Sequence, residues 1–151
     1  MTKSFVTPGV DIRFLVLANL MKRSKTSHRR PTEAECTILN VLWERGSATV
    51  REVYEELSAR QEMGYTTVLK FMQIMTEKGL IERDATVRPQ IFSPAREKTE
   101  VQNDMVRDLL DRVFGGSTES LVLRALDSRP SSPDELKAIR QHLDALEGEH
   151  S

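Results

Sequence analysis

The sequence predicts a mainly α-helical chain in two parts: helices closed by a β-hairpin, then a short all-helical segment. Three observations carry this. Apolar residues recur at helical spacing in successive stretches from Ala34 to Leu146. The period falls to two only between Leu80 and Ser93, after Gly79. Helix-start signals stand before three of the stretches, at Thr32–Glu35, Thr49–Glu52 and Ser132–Glu135.

A chain of 151 residues holds one domain, or a small domain with an oligomerisation segment. Charged residues make up 30% and aromatic ones 5%, which fits a soluble helical protein with modest cores. The formal net charge is −1, so bulk charge names no partner, but its distribution is uneven. Residues 21–96 carry 13 Lys+Arg against 10 Asp+Glu, and residues 97–151 carry 7 against 12. A mildly basic part followed by an acidic part suggests two tasks. Cys36 is the single cysteine, which excludes an intrachain disulfide and a cysteine-cluster metal site. His28, His142 and His150 are scattered, and no metal, cofactor or catalytic role is assigned to them.

Residues 1–30 are expected to be a poorly ordered extension. Phe14–Leu20 is apolar but far shorter than the ~20 residues that cross a bilayer. A basic arm, Lys22, Arg23, Lys25, Arg29 and Arg30, follows it, the wrong order for a secretory signal. Met21 is read as an alternative start, because the interpretable pattern begins soon after it. No membrane association is expected, and the location is read as cytoplasmic.

Residues 31–95 are read as the first domain. Thr32-Glu33-Ala34-Glu35 opens a strongly apolar helix that stops at Gly46, and Cys36 in its first turns is read as a packing residue. Ser47-Ala48 forms a short extended link. Thr49-Val50-Arg51-Glu52 opens a second helix, with Val50, Val53, Tyr54 and Leu57 on one face. Gly64 breaks the chain before a third helix, which Thr66 or Thr67 would cap and Gly79 would end. On a wheel, Val68, Phe71, Met72 and Met75 fall on one face, and Thr66, Lys70, Gln73 and Glu77 on the opposite one. By itself the stretch reads better as an ordinary amphipathic helix with a solvated polar face. Its neighbours change that reading. Leu80–Asp84 and Gln90–Ser93 read as strands joined by a turn carrying Arg88, with Pro94 as the stop.

Two helices, a short turn between them and a following hairpin make a winged helix-turn-helix, with the third helix placed for a DNA groove. Thr66, Thr67, Lys70 and Gln73 are the candidates for base edges or phosphate, and Arg83 and Arg88 on the hairpin for the phosphate backbone. For each arginine the bland alternative is a solvated surface residue.

Residues 96–151 are read as a small all-helical dimerisation domain. Val101, Met105, Leu109 and Val113 recur every four residues. Gly115-Gly116 interrupts, Ser117 or Thr118 starts a short helix containing Leu123, and Leu136, Ile139 and Leu143 stripe the last one. Segments this short cannot bury such stripes alone, so these positions are assigned to a homodimer interface.

The order of elements resembles the penicillinase repressor family of BlaI/MecI/CopY-like bacterial regulators. TEAECTILNVLW (32–43), TVREVYEEL (49–57), GYTTVLKFMQIMTEKGLIER (64–83), FSP (92–94), SLVLRALD (120–127) and SPDELKAIRQHL (132–143) carry the resemblance. It implies a homodimeric repressor bound to double-stranded operator DNA. Many relatives carry polar or basic residues where Leu69 and Ile74 stand here. Copper-responsive relatives carry Cys-x-Cys pairs near the C-terminus, which this chain lacks. Antibiotic-responsive relatives are cut in the dimerisation domain, in a pathway run by a membrane metalloprotease sensor. Their Asn-Phe cleavage bond follows a run like Ser120–Leu123, and Arg124-Ala125 stands at that place here.

The expected function is thus sequence-specific transcriptional repression, relieved by proteolysis in the dimerisation domain with a sensor protease as partner. The alternative is a winged-helix module that holds another protein without specific DNA binding. An enzyme ranks third: there is no glycine-rich phosphate loop, paired catalytic motif or metal-ligand spacing.

Overall fold

The computed structural model describes residues 30–60 and 63–151. The expected N-terminal extension, with its basic arm apart from Arg30, lies outside the described residues. Contacts divide the chain into two compact units, the first ending at Gln102 and the second spanning Asn103–Ser151.

The first unit contains α1 (Glu33–Arg45), α2 (Val50–Ser58), α3 (Tyr65–Lys78), β1 (Ile81–Asp84) and β2 (Ile91–Pro94). Both expected capping boxes form. Thr32 Oγ1 accepts from Glu35 N–H, while Glu35 Oε2 accepts from Thr32 N–H at 2.8 Å. Thr49 and Glu52 repeat the arrangement at the start of α2. Each box satisfies donors that a helix end leaves unpaired. Gly46 ends α1 at φ 84° and Gly79 ends α3 at φ 78°, backbone conformations that a side chain would strain.

The start of α3 corrects the expectation. Gly64 is the N-cap, no side chain caps the helix, and Thr66 and Thr67 lie inside the first turn. Thr67 and Val68 both donate backbone N–H to Gly64 O at 3.1 Å.

The core packs α1, α2 and α3 against the hairpin. Ile38, Leu42, Val53, Val68, Met72 and Met75 are completely buried. Burying a side chain of this size contributes roughly 1.5–3 kcal/mol, so the inward face of α3 is committed to the fold. Strands β1 and β2 pair antiparallel with Ile81 opposite Pro94 and Asp84 opposite Ile91. Ala48 and Phe92 exchange two backbone hydrogen bonds of 2.9 Å, so the extended link before α2 adds a one-residue bridge to the hairpin.

Helix α4 (Lys98–Val113) crosses from the first unit into the second, so the division falls later than the expected 95/96 boundary. The second unit adds α5 (Thr118–Ser128) and α6 (Pro133–Gly148). Ser117 caps α5, and Ser132 with Glu135 forms a third capping box before α6. Neither α5 nor α6 contains a buried residue. Among the described residues no helix is long and apolar enough to cross a membrane.

Candidate nucleic-acid interface

Helix α3 presents Thr66, Thr67, Lys70 and Gln73 to solvent, while Val68, Met72 and Met75 face the core with no exposure. The outward side chains are therefore not needed for packing. Leu69 and Phe71 are half-buried and pack on the core, and Ile74 is half-buried.

Two contacts anchor the ends of this helix, and a third ties α1 to α2. Glu35, the only buried charged residue among those described, bridges two elements. Its Oε2 closes the α1 capping box, and its Oε1 accepts from Lys78 Nζ at 2.6 Å, at the last residue of α3. A buried carboxylate is costly unless paired and hydrogen-bonded, and here both oxygens have partners. At the other end, Tyr65 packs edge-on against Tyr54 of α2, with ring centroids 5.7 Å apart and an angle of 83°. Arg45 at the end of α1 reaches Glu52 at 3.2 Å and Glu56 at 3.6 Å on α2.

On the hairpin, Arg83 and Arg88 are exposed. Arg88 is partly engaged: its guanidinium donates to Ala85 O at 3.1 Å and Val87 O at 3.4 Å, bracing the turn. Asp84 accepts from the backbone N–H of Thr86 at 2.9 Å and from its hydroxyl at 2.6 Å. These bonds favour the ionised form and hold the Asp84 carboxyl below the usual carboxylate range.

An open groove of about 760 Å³ runs between the start of α2, the outward side of α3 and the hairpin. Gln73 and Arg83 line it together with Arg51, Tyr65, Leu69 and Glu77, whereas Thr66, Thr67, Lys70 and Arg88 lie outside its lining. Arg51 and Tyr65 were not singled out from sequence. For Arg51 a signal existed, because a cation in the first turn of a helix opposes its dipole. For Tyr65 the signal was helical period, because it stands four and eight residues before Leu69 and Gln73 on α3.

The Cys36 thiol is half-buried, and burial, followed by the nearby Glu35 and Glu33 carboxylates, pushes its pKa up. That suppresses the reactive thiolate, in keeping with a packing role. Among the described residues no group of three or more His, Cys, Asp or Glu is placed to hold a metal ion.

The residues assigned to a dimer interface fall into three groups. Leu109, Val113, Leu123 and Leu143 are exposed in the single chain, Val113 at 66%. Met105, Leu136 and Ile139 are half-buried. Val101 departs from the expectation: at 6% exposure it is already covered within the single chain and has little surface left for a partner. Arg124 and Ala125 lie exposed inside α5, and Arg124 pairs with Asp127 at 2.9 Å.

Comparison with known proteins gives one consistent result. The penicillinase repressor family matches residues 31–145. The transcriptional regulator BlaI of Mycobacterium tuberculosis is 29% identical over 119 residues, 78% of this chain and 86% of that protein. The penicillinase repressor of Bacillus licheniformis is 23% identical, covering 75% of this chain and 88% of its own. The methicillin resistance regulatory protein MecI of Staphylococcus aureus is 21% identical, covering 74% and 91%.

Proposed function

Because the chain belongs to the penicillinase repressor family, we propose that it represses transcription as a homodimer bound to a specific operator. Its relatives are transcriptional repressors rather than enzymes. The observation that carries the reading is the division of labour on α3. One face is spent on the core, and the other offers two hydroxyls, a cation and an amide beside a hairpin with two exposed arginines. Those groups suit base edges and phosphates of a major groove. The protein-holding alternative loses support, because Leu69 at the edge of the polar face packs on the core.

The second unit supplies the homodimer in this reading. Helices α5 and α6 have no fully buried residue in the single chain, while Leu109, Val113, Leu123 and Leu143 stay exposed. A second copy would cover those stripes and set two α3 helices on two half-sites. Relief of repression is assigned to a cut at Arg124-Ala125, made by a sensor protease.

The test is to sequence the genomic DNA fragments that the purified chain retains. A shared sequence with two-fold symmetry is the expected result. Retention without sequence preference, or none, would overturn the reading.

A further inference from the structure

The groove beside α3 contains a cation that folding does not explain. Arg51 is the second residue of α2, in the turn where the helix carries its positive partial charge. A cation there works against the helix. Its ion pair with Glu55, 3.2 Å away, runs in the less favourable order, with the basic residue first. The two side chains are 73% and 59% exposed, so solvent screens the pair and it adds little stability. The carboxylate next to it in the chain, Glu52, is occupied elsewhere: it closes the capping box on Thr49 and pairs with Arg45. What the position of Arg51 does provide is a guanidinium in the same groove as Gln73 and Arg83.

We infer that Arg51 is a phosphate-contact residue of the DNA interface, and that Glu55 is the anion it leaves on binding. This inference rests on the DNA-binding reading above. A guanidinium is a planar fork that matches two phosphate oxygens, and it stays charged at any working pH. In the unbound chain Glu55 holds the fork through a weak, screened pair. A backbone phosphate offers a charge-assisted bidentate partner and displaces it. Glu55 therefore competes with DNA and moderates binding to any duplex, whatever its sequence.

The test is equilibrium binding of the full chain to a fluorescent random-sequence duplex and to a duplex recovered from the genomic selection, across a salt series. Each phosphate contact contributes about 0.9 to the slope of log affinity against log salt. Arg51→Gln should weaken both duplexes by the same factor and flatten the slope by about 0.9. Its thermal midpoint should equal or exceed that of the parent chain, because an opposed charge has been removed. Glu55→Gln should tighten both duplexes, and that gain should shrink in the Arg51→Gln background. An unchanged slope in Arg51→Gln, with the parent chain still binding, would overturn this inference and leave the DNA-binding reading intact. A lowered midpoint with that unchanged slope would assign Arg51 to the fold instead. A parent chain that held neither duplex would overturn both readings together.

Discussion

Gln73 and Arg88 sit in different surroundings, and their substitutions should separate selectivity from general affinity. The Gln73 side chain is exposed in the groove on a helix whose opposite face is fully buried. An amide can both donate to and accept from an adenine edge, a pairing that discriminates by about 1–3 kcal/mol. Gln73→Ala should narrow the gap between operator and random duplex by about that amount, measured by competition at fixed salt. Arg88 braces the hairpin turn through two carbonyls, so Arg88→Ala removes turn support along with any phosphate contact. It should weaken both duplexes equally. Altered preference in Arg88→Ala with none in Gln73→Ala would mean the two surfaces are assigned the wrong way round. The outward phase of α3 was legible from sequence because it is a matter of period alone. Arg51 was harder to see, because its proximity to Gln73 arises only when α2, α3 and the hairpin meet.

Among the elements, caps were the most legible feature, since a capping box is a local bargain between residues three apart. Thr32–Glu35, Thr49–Glu52 and Ser132–Glu135 all close. The start of α3 was misplaced for the complementary reason. Gly64 caps it with no side-chain bond, so threonines two and three residues later looked like better candidates. The Ala48–Phe92 bridge was equally hidden, because one residue has no alternation to detect. The boxes also make an expectation about acid. The Glu52 carboxyl is held below its ordinary pKa, first by the Thr49 backbone N–H, with lesser help from the Thr49 hydroxyl and Arg45. A depressed folded pKa means that its stabilisation is complete above the unfolded value of ~4.3. It is lost as pH falls through the folded value. Glu135 and Asp84 shift in the same direction and add to the same acid-side loss. Glu52→Gln should lower the thermal midpoint at neutral pH and flatten its decline toward ~pH 3. Parallel curves for the two proteins would show that this cap does not titrate with folding.

For the whole molecule the proposed mechanism depends on linking two DNA-reading units. Two half-sites bound by a joined pair gain an effective concentration that separate units lack. The division of the chain decides the test fragment. Val101 is buried and Trp43 Nε1 donates to Arg96 O at 3.0 Å, so a cut at residue 95 would strip part of the first unit. Residues 31–102 should sediment as a monomer and the full chain as a dimer; equal states would sink the dimer. Leu143→Asp is the sharper substitution, because Leu143 is 49% exposed and Ile139 is partly covered within its own chain. It should dissociate the dimer and leave the first unit folded. The stripe itself was legible as a period of four, but which residues a single chain already covers was not. The proposed induction by proteolysis would act on the same connection. Arg124 and Ala125 lie within α5, so a protease must first unwind that turn, and within the single chain α5 has no buried side chain to resist it. Gly115 and Gly116, at φ 56° and 81°, end α4 in a tight turn in which Gly116 N–H donates to Leu110 O at 2.9 Å. They look built to stop a helix rather than to hinge it, so susceptibility should reside in α5. Cutting there separates α6, with Leu136, Ile139 and Leu143, from the rest, and the two copies lose one stripe of their seam. Induced cells should then contain a fragment ending at Arg124, visible by mass spectrometry, as the operator is vacated. Arg124→Pro, which cannot be cut in the usual way but also breaks α5, would confuse the result. Ala125→Asp changes the bond while keeping an exposed helical position, and should hold repression under induction. An intact chain leaving the operator in induced cells would rule out cleavage and place the signal on a ligand or partner of the folded dimer.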